Sequence, residues 1–132
     1  MAPFRFIKWI DEGKTVQLFG DGSQSRDFTY VDDIAGGTIK ALALKGFQVV
    51  NLGSNRPFKL STFINLIEQN LGKMALRKYF PKNKTDMDAT WASVGKAKKL
   101  LKWKSQVTLE EGLKRTIAWY KKNKAWASKI RV

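Results

Sequence analysis

A chain of 132 residues, 43% hydrophobic and carrying five Trp, is long enough to bury a core and too short to expect two domains. It has no Cys and no His, which excludes disulfides, thiolate chemistry, a His-based triad and a His metal site. The formal charge of +14 is uneven: residues 1–72 hold 8 Lys+Arg against 7 Asp+Glu, and residues 73–132 hold 17 against 4, so the second part reads as a solvated Lys-rich surface or as a face for an acidic partner.

Pro3 suits the first turn of a helix whose Phe6, Ile7 and Ile10 share a face and which Gly13 ends. Val16 to Phe19 predicts a short strand, Gly20 to Ser25 a polar turn, and Phe28 to Val31 a second strand. Asp32 and Asp33 fit the positive end of a helix running to about residue 45, with Ile34, Ile39, Ala41, Leu42 and Leu44 on its apolar side. Gly36 and Gly37 weaken that helix by roughly 1 kcal/mol each. Phe47 to Leu52 predicts a buried strand. Leu60, Phe63, Ile64, Ile67 and Leu71 then repeat at helical spacing up to Gly72. Leu76 to Phe80 predicts a strand, 81–88 a polar loop, and Ala97, Leu100 and Leu101 a short basic helix. Thr108 and Glu111 form a capping box for a last helix carrying Leu109, Leu113, Ile117 and Tyr120. The order is mixed α/β, with no repeat and no apolar run approaching the ~18 residues of a membrane span. Residues 1–13 include Asp11 and Glu12 and do not read as a signal peptide. The absence of Cys agrees with a reducing compartment, so the expected location is the cytoplasm, with no membrane partner.

Three segments could carry chemistry. Arg26 sits where the Gly-rich turn meets the second strand. It could grip a phosphate by forked, charge-assisted hydrogen bonds, or form a surface ion pair with Asp27 or Asp21. Tyr120 and Lys124 have the Tyr-x-x-x-Lys spacing of short-chain dehydrogenases, in which a Lys tunes a proton-moving Tyr. No Gly-x-x-Gly-x-x-Gly turn accompanies them, and the spacing reads as a half-buried Tyr beside solvated lysines. The third is the basic part of the chain with Trp91, Trp103, Trp119, Tyr120 and Trp126 interleaved. Cations and stacking aromatics suit single-stranded nucleic acid, but Trp119 and Trp126 share a helix with apolar residues and so fit core or rim packing.

The block Phe19-Gly20-Asp21-Gly22, continued by Arg26-Asp27-Phe28-Thr29-Tyr30-Val31-Asp32-Asp33-Ile34-Ala35, carries a family likeness. So do Asn51-Leu52-Gly53, Trp91-Ala92, Lys96-Ala97, Trp103 and Thr108-Leu109-Glu110-Glu111-Gly112-Leu113. Together they resemble the C-terminal half of an extended short-chain dehydrogenase/reductase of the NAD-dependent epimerase/dehydratase family, and within it the bacterial UDP-glucuronate 4-epimerases. The resemblance covers essentially all of 1–132, read as a single domain. It implies an α/β fold: a C-terminal substrate-binding lobe with the last Rossmann strand and helix elements, lacking the N-terminal NAD-binding half. Met1 aligns with an internal Met of the family, so the chain is expected to be a fragment or the product of an orphan gene.

The resemblance further implies a UDP-sugar partner. Arg26 would contact the pyrophosphate, Phe19 and the Gln17 backbone would border the uracil, Leu60 would line the ribose side, and Asp86 would accept a hydrogen bond from the ribose or a cation. In the family, NAD takes a hydride from C4 of the sugar and returns it to the other face. Here the NAD turn and the catalytic residues are absent, so no catalytic residue, no metal and no bound NAD are expected in this chain alone. A complementing Rossmann half or a homo-oligomer is expected to cover what the missing half would cover. The alternatives are a basic polyanion- or nucleic-acid-binding module and an inert folded remnant. The chain departs from its relatives at Phe28 (often Tyr), Asn83 (Arg or Gln), Ser93 and Gly95 (Asp and Ser/Thr), Gly36, Lys102 and Ser105 (Arg or Glu, Gly, and Pro), and Lys59 (often a helix-capping Ser).

Overall fold

The computed structural model describes residues 2–132; Met1, with the alignment argued for it, lies outside the described residues. The elements are α1 (Ala2–Asp11), β1 (Thr15–Phe19), β2 (Ser25–Arg26), α2 (Val31–Ala41), β3 (Phe58–Lys59), α3 (Leu60–Leu71), β4 (Leu76–Phe80), β5 (Ala89–Thr90), α4 (Gly95–Leu101), α5 (Leu109–Lys122) and α6 (Lys124–Ala127). The chain is α/β, as expected. Its contacts divide it into two compact units: residues 2–24, 59–87 and 113–132 form one, and residues 25–58 and 88–112 the other.

In the first unit β1 and β4 pair in parallel, from Thr15 opposite Leu76 to Phe19 opposite Phe80. Strict alternation along β1 buries Val16 and Leu18 and leaves Thr15, Gln17 and Phe19 outward. Behind the strand lie Phe6, Ile7 and Ile10 of α1, Phe63, Ile64 and Ile67 of α3, and Leu113, Ile117, Tyr120 and Ala127 of α5 and α6. The repeats at three and four residues read from the sequence are the stripes that close this core. Tyr120 is fully buried, its ring edge-on to Phe4 at 5.9 Å, which corrects the half-buried reading. The reason is its place on the 113/117/120/127 stripe, which faces inward. Lys8 is buried as well. Its ammonium donates to the carbonyls of Ser128 and Ile130, tying the chain's last residues to α1.

The turn from Gly20 to Gln24 is built from local bonds. Asp21 accepts the Ser23 N–H at 2.8 Å, and the buried Gln24 amide donates to the Phe19 carbonyl at 2.6 Å. The turn also caps α3. Gln24 and Gly22 carbonyls accept the N–H groups of Leu60 and Ser61 at 2.9 and 3.0 Å. Lys59, at the N-cap, makes no side-chain cap bond, so backbone carbonyls do part of what a Ser would do there.

In the second unit the core is Val94, Ala97, Leu101 and Trp103, packed by Ala41, Leu44, Val50, Leu52 and Ala92. The Trp103 indole N–H donates to the Asp33 carbonyl at 3.0 Å. Gly37 admits this packing: a Cβ there would lie 2.7 Å from Leu52 and 3.0 Å from the Trp103 nitrogen. The helix penalty of that glycine is offset by close approach.

Two strand expectations fail. Phe28 to Val31 is not a strand: β2 ends at Arg26, the chain leaves the sheet at Asp27, and α2 begins at Val31. Phe47 to Leu52 is irregular as well, with Phe47 90% exposed and only Val50 and Leu52 turned toward the core. A strand exists only where another strand satisfies its backbone groups, and among the described residues none lies beside this segment. No helix of the described residues is long and apolar enough to cross a membrane.

Candidate functional site

Arg26 ends β2, the strand set between β3 and β5, with Ser25 opposite Ala89 and Arg26 opposite Thr90. Its side chain is half-buried, and its guanidinium donates to the Ser25 carbonyl at 2.7 Å. The ion pair weighed for it with Asp27 meets a carboxylate already committed elsewhere. Asp27 accepts the N–H groups of Ser54 (2.9 Å), Asn55 (3.0 Å) and Ala92 (3.0 Å) and the Ser54 hydroxyl (2.5 Å). Burial pushes its pKa up, but these hydrogen bonds outweigh it and hold the carboxyl below the ordinary 3.8. Asp27, next to Arg26 in the chain, thus clamps two stretches of backbone, at 54–55 and at 92. Gly53 sits against the clamp, where a Cβ would lie 2.4 Å from Ala92 and 2.7 Å from the Asp27 carboxylate.

Beside the clamp opens a cavity of ≈ 680 Å³ lined by Arg26, Phe28, Thr29, Asn51, Trp91 and their neighbours. Phe28 brings no hydroxyl to it. A second cleft of ≈ 480 Å³ in the same unit gathers Arg56, Lys98 and Lys104 with the start of α5. The sequence reading missed it, because its three cations come from separate segments.

Of the other expected site residues, all in the first unit, Gln17 and Phe19 share the outward face of β1. Phe19 is half exposed and stacks on Phe80 at 5.6 Å between centroids. Lys78 stands over the Phe80 ring at 5.3 Å. Such a surface can take a planar heterocycle by stacking and by cation–π attraction. Phe80 and Lys78 were not singled out from sequence. Both strands were legible, but the register that puts Phe80 opposite Phe19 and Lys78 opposite Gln17 was not.

Leu60 opens α3, half-buried, its N–H held by the turn. Asp86 lies half-buried in the loop after β4, its N–H on the Asn83 carbonyl at 3.0 Å. Asn83 spends its side-chain oxygen on Thr85, at 3.1 Å to the N–H and 3.0 Å to the hydroxyl, and so shapes that loop. The substituted Ser105 has a job too: its hydroxyl, with the N–H groups of Gln106 and Val107, bonds the Asp33 carboxylate at 2.9–3.0 Å.

The Tyr120–Lys124 spacing does not form a proton relay. Burial first, then the charges of Asp11 and Glu12, push the Tyr120 pKa up to about 12, while Lys124 pairs with Asp11 at 2.6 Å. Among the described residues no group of His, Cys, Asp or Glu could hold a metal ion.

Residues 2–53 match the model of the NAD dependent epimerase/dehydratase family. The chain is 48% identical, over its whole length, to a UDP-glucuronate 4-epimerase of Thermodesulfobacterium geofontis, of which it covers 41%. It is 30% identical to a probable UDP-glucuronate 4-epimerase of Rhizobium meliloti, covering 42% of that protein with 93% of its own length. The crystal structure of UDP-glucuronic acid 4-epimerase from Bacillus cereus, in complex with UDP-glucuronic acid and NAD, superposes with a TM-score of 0.86 at 35% identity. UDP-glucose 4-epimerase from Thermotoga maritima with UDP-glucose superposes at 0.87 and 31% identity. Both superpositions use 93% of this chain and 40% of the other. The chain therefore spans about two fifths of the length of these relatives.

Proposed function

We propose that the chain belongs to the NAD-dependent epimerase/dehydratase family and that residues 1–132 form the UDP-sugar-binding portion of a nucleotide-sugar 4-epimerase of the UDP-glucuronate kind, an isomerase. The observation that carries this is Arg26, next in the chain to the Asp27 clamp and lining an open cavity, within the stretch matched by the family model. A diphosphate needs a fixed, forked cation, and a guanidinium flanked by ordered backbone is one. In our reading Arg26 contacts the pyrophosphate; Phe19, with the Gln17 backbone, borders the uracil; Leu60 lines the ribose side; and Asp86 accepts a hydrogen bond from the ribose or a cation.

The B. cereus relative is described with NAD. The residues present here do not fit a dinucleotide site: no Gly-x-x-Gly-x-x-Gly turn precedes any helix among the described residues. Tyr120 is committed to the core and the exposed Lys124 to Asp11, so this pair supplies no proton relay. We place it in the cytoplasm, binding a UDP-sugar and turning over nothing by itself. A complementing Rossmann half or a second copy would cover the exposed Val31, Ile39, Leu42, Phe47 and Val49. UDP should raise the melting temperature of the purified chain, and UDP-glucuronate with added NAD should give no epimer. Epimer formation by the chain alone would overturn the second expectation, and a melting temperature unmoved by millimolar UDP the first.

A further inference from the structure

From Leu113 to Val132 there are seven cations (Lys114, Arg115, Lys121, Lys122, Lys124, Lys129 and Arg131) and no Asp or Glu. The helical part of this stretch carries two apolar stripes. One, Leu113, Ile117, Tyr120 and Ala127, is buried and serves the core. The other, Trp119 and Trp126, seven residues apart, serves no core: the rings are 44% and 50% exposed, and Ile130 is exposed near the chain's end. They meet edge to face, at 5.5 Å and 84°, and the Trp126 indole N–H is held by the Asn123 side chain at 3.2 Å.

We infer that this face of α5 and α6 docks on an anionic lipid surface. Indole rings settle at the headgroup level of a bilayer, where an apolar body and a polar N–H are both accommodated. Lys124 is paired with Asp11, and the exposed Lys121, Lys122 and Lys129 near the two rings are the cations drawn to anionic headgroups. A nucleic-acid platform is less well served, because base stacking needs open ring faces and an edge-to-face pair masks part of one. This departs from the sequence-based expectation of no membrane partner, which had only the lack of a crossing segment behind it; a helix lying on the surface needs no such segment.

The test uses the full chain with vesicles of phosphatidylcholine alone, and of three parts phosphatidylcholine to one part phosphatidylglycerol. The chain should sediment with the anionic vesicles and not the neutral ones, and the bound fraction should fall as salt rises. Brominated acyl chains should quench its Trp emission. Trp119→Ser with Trp126→Ser should keep the far-UV dichroism and weaken binding about tenfold, since apolar insertion adds to charge attraction. Lys121→Glu with Lys122→Glu should weaken it too. No sedimentation with anionic vesicles at low salt would overturn the inference, as would undiminished binding by the double Trp variant. So would a single-stranded oligonucleotide that binds through the same two Trp and displaces the chain from vesicles.

Discussion

Asp27 decides the local structure around Arg26. An Asn there keeps one acceptor oxygen and turns an NH2 toward backbone donors, so Asp27→Asn should cost about 2–3 kcal/mol in urea unfolding. The carboxyl's folded pKa lies below its unfolded value. Its stabilisation is therefore complete above the unfolded pKa and is lost as pH falls through the folded one, so stability should drop below about pH 4, and Asp27→Asn should flatten that drop. Asp11 adds a contribution of the same sign. Burial raises its pKa, but hydrogen bonds and charges from Lys124 and Lys73 bring it below the ordinary value. Gly53→Ala should harm the clamp as Asp27→Asn does, because its new methyl would overlap Ala92 and the carboxylate. Tyr120 tests the burial of the first unit's core. An ultraviolet titration should show a phenol ionising near about 12, and Tyr120→Phe should remove that late step.

Helix ends show where this chain departs from its relatives at a cost. Lys102 closes α4 in the left-handed region at φ 49°, where the resemblance expects Gly. Lys102→Gly should therefore stabilise the chain by about 1 kcal/mol, read as a higher urea midpoint. Lys59→Ser should give less, about 0.5 kcal/mol, because carbonyls of the Gly20–Gln24 turn already hold the first two N–H groups of α3. At this scale α1, β1, α3, α4 and α5 were legible, since each has a stripe or alternation that matches one buried face; β4 was legible too, although none of its side chains is fully buried. The strands expected at Phe28–Val31 and Phe47–Leu52 were not. Their apolar runs are real, but strand formation depends on a neighbouring strand that local sequence does not reveal. The same limit hid Phe80 and Lys78, whose roles appear only once β1 and β4 are in register.

Across the whole chain the surface is divided in character. The side of α2 and the segment after it leave Leu42 82% and Phe47 90% exposed, more apolar side chain than a solitary protein tends to show. Sedimentation velocity should reveal self-association that Leu42→Glu with Phe47→Glu reverses; a clean monomer at micromolar concentration would contradict this. Of the candidate site, Arg26 was legible as a cation at a turn, but its meaning came from the family likeness, and the clamp beside it joins residues 27, 54, 55 and 92, too far apart for a local pattern. The central claim is that the chain binds the nucleotide of a UDP-sugar through Arg26. Calorimetric titration with UDP measures it most directly. The account predicts saturable heat from the wild-type chain and at least about a tenfold loss of affinity in Arg26→Ala, with the fold intact. Equal affinity in the two proteins, or no heat from the wild type, would contradict it.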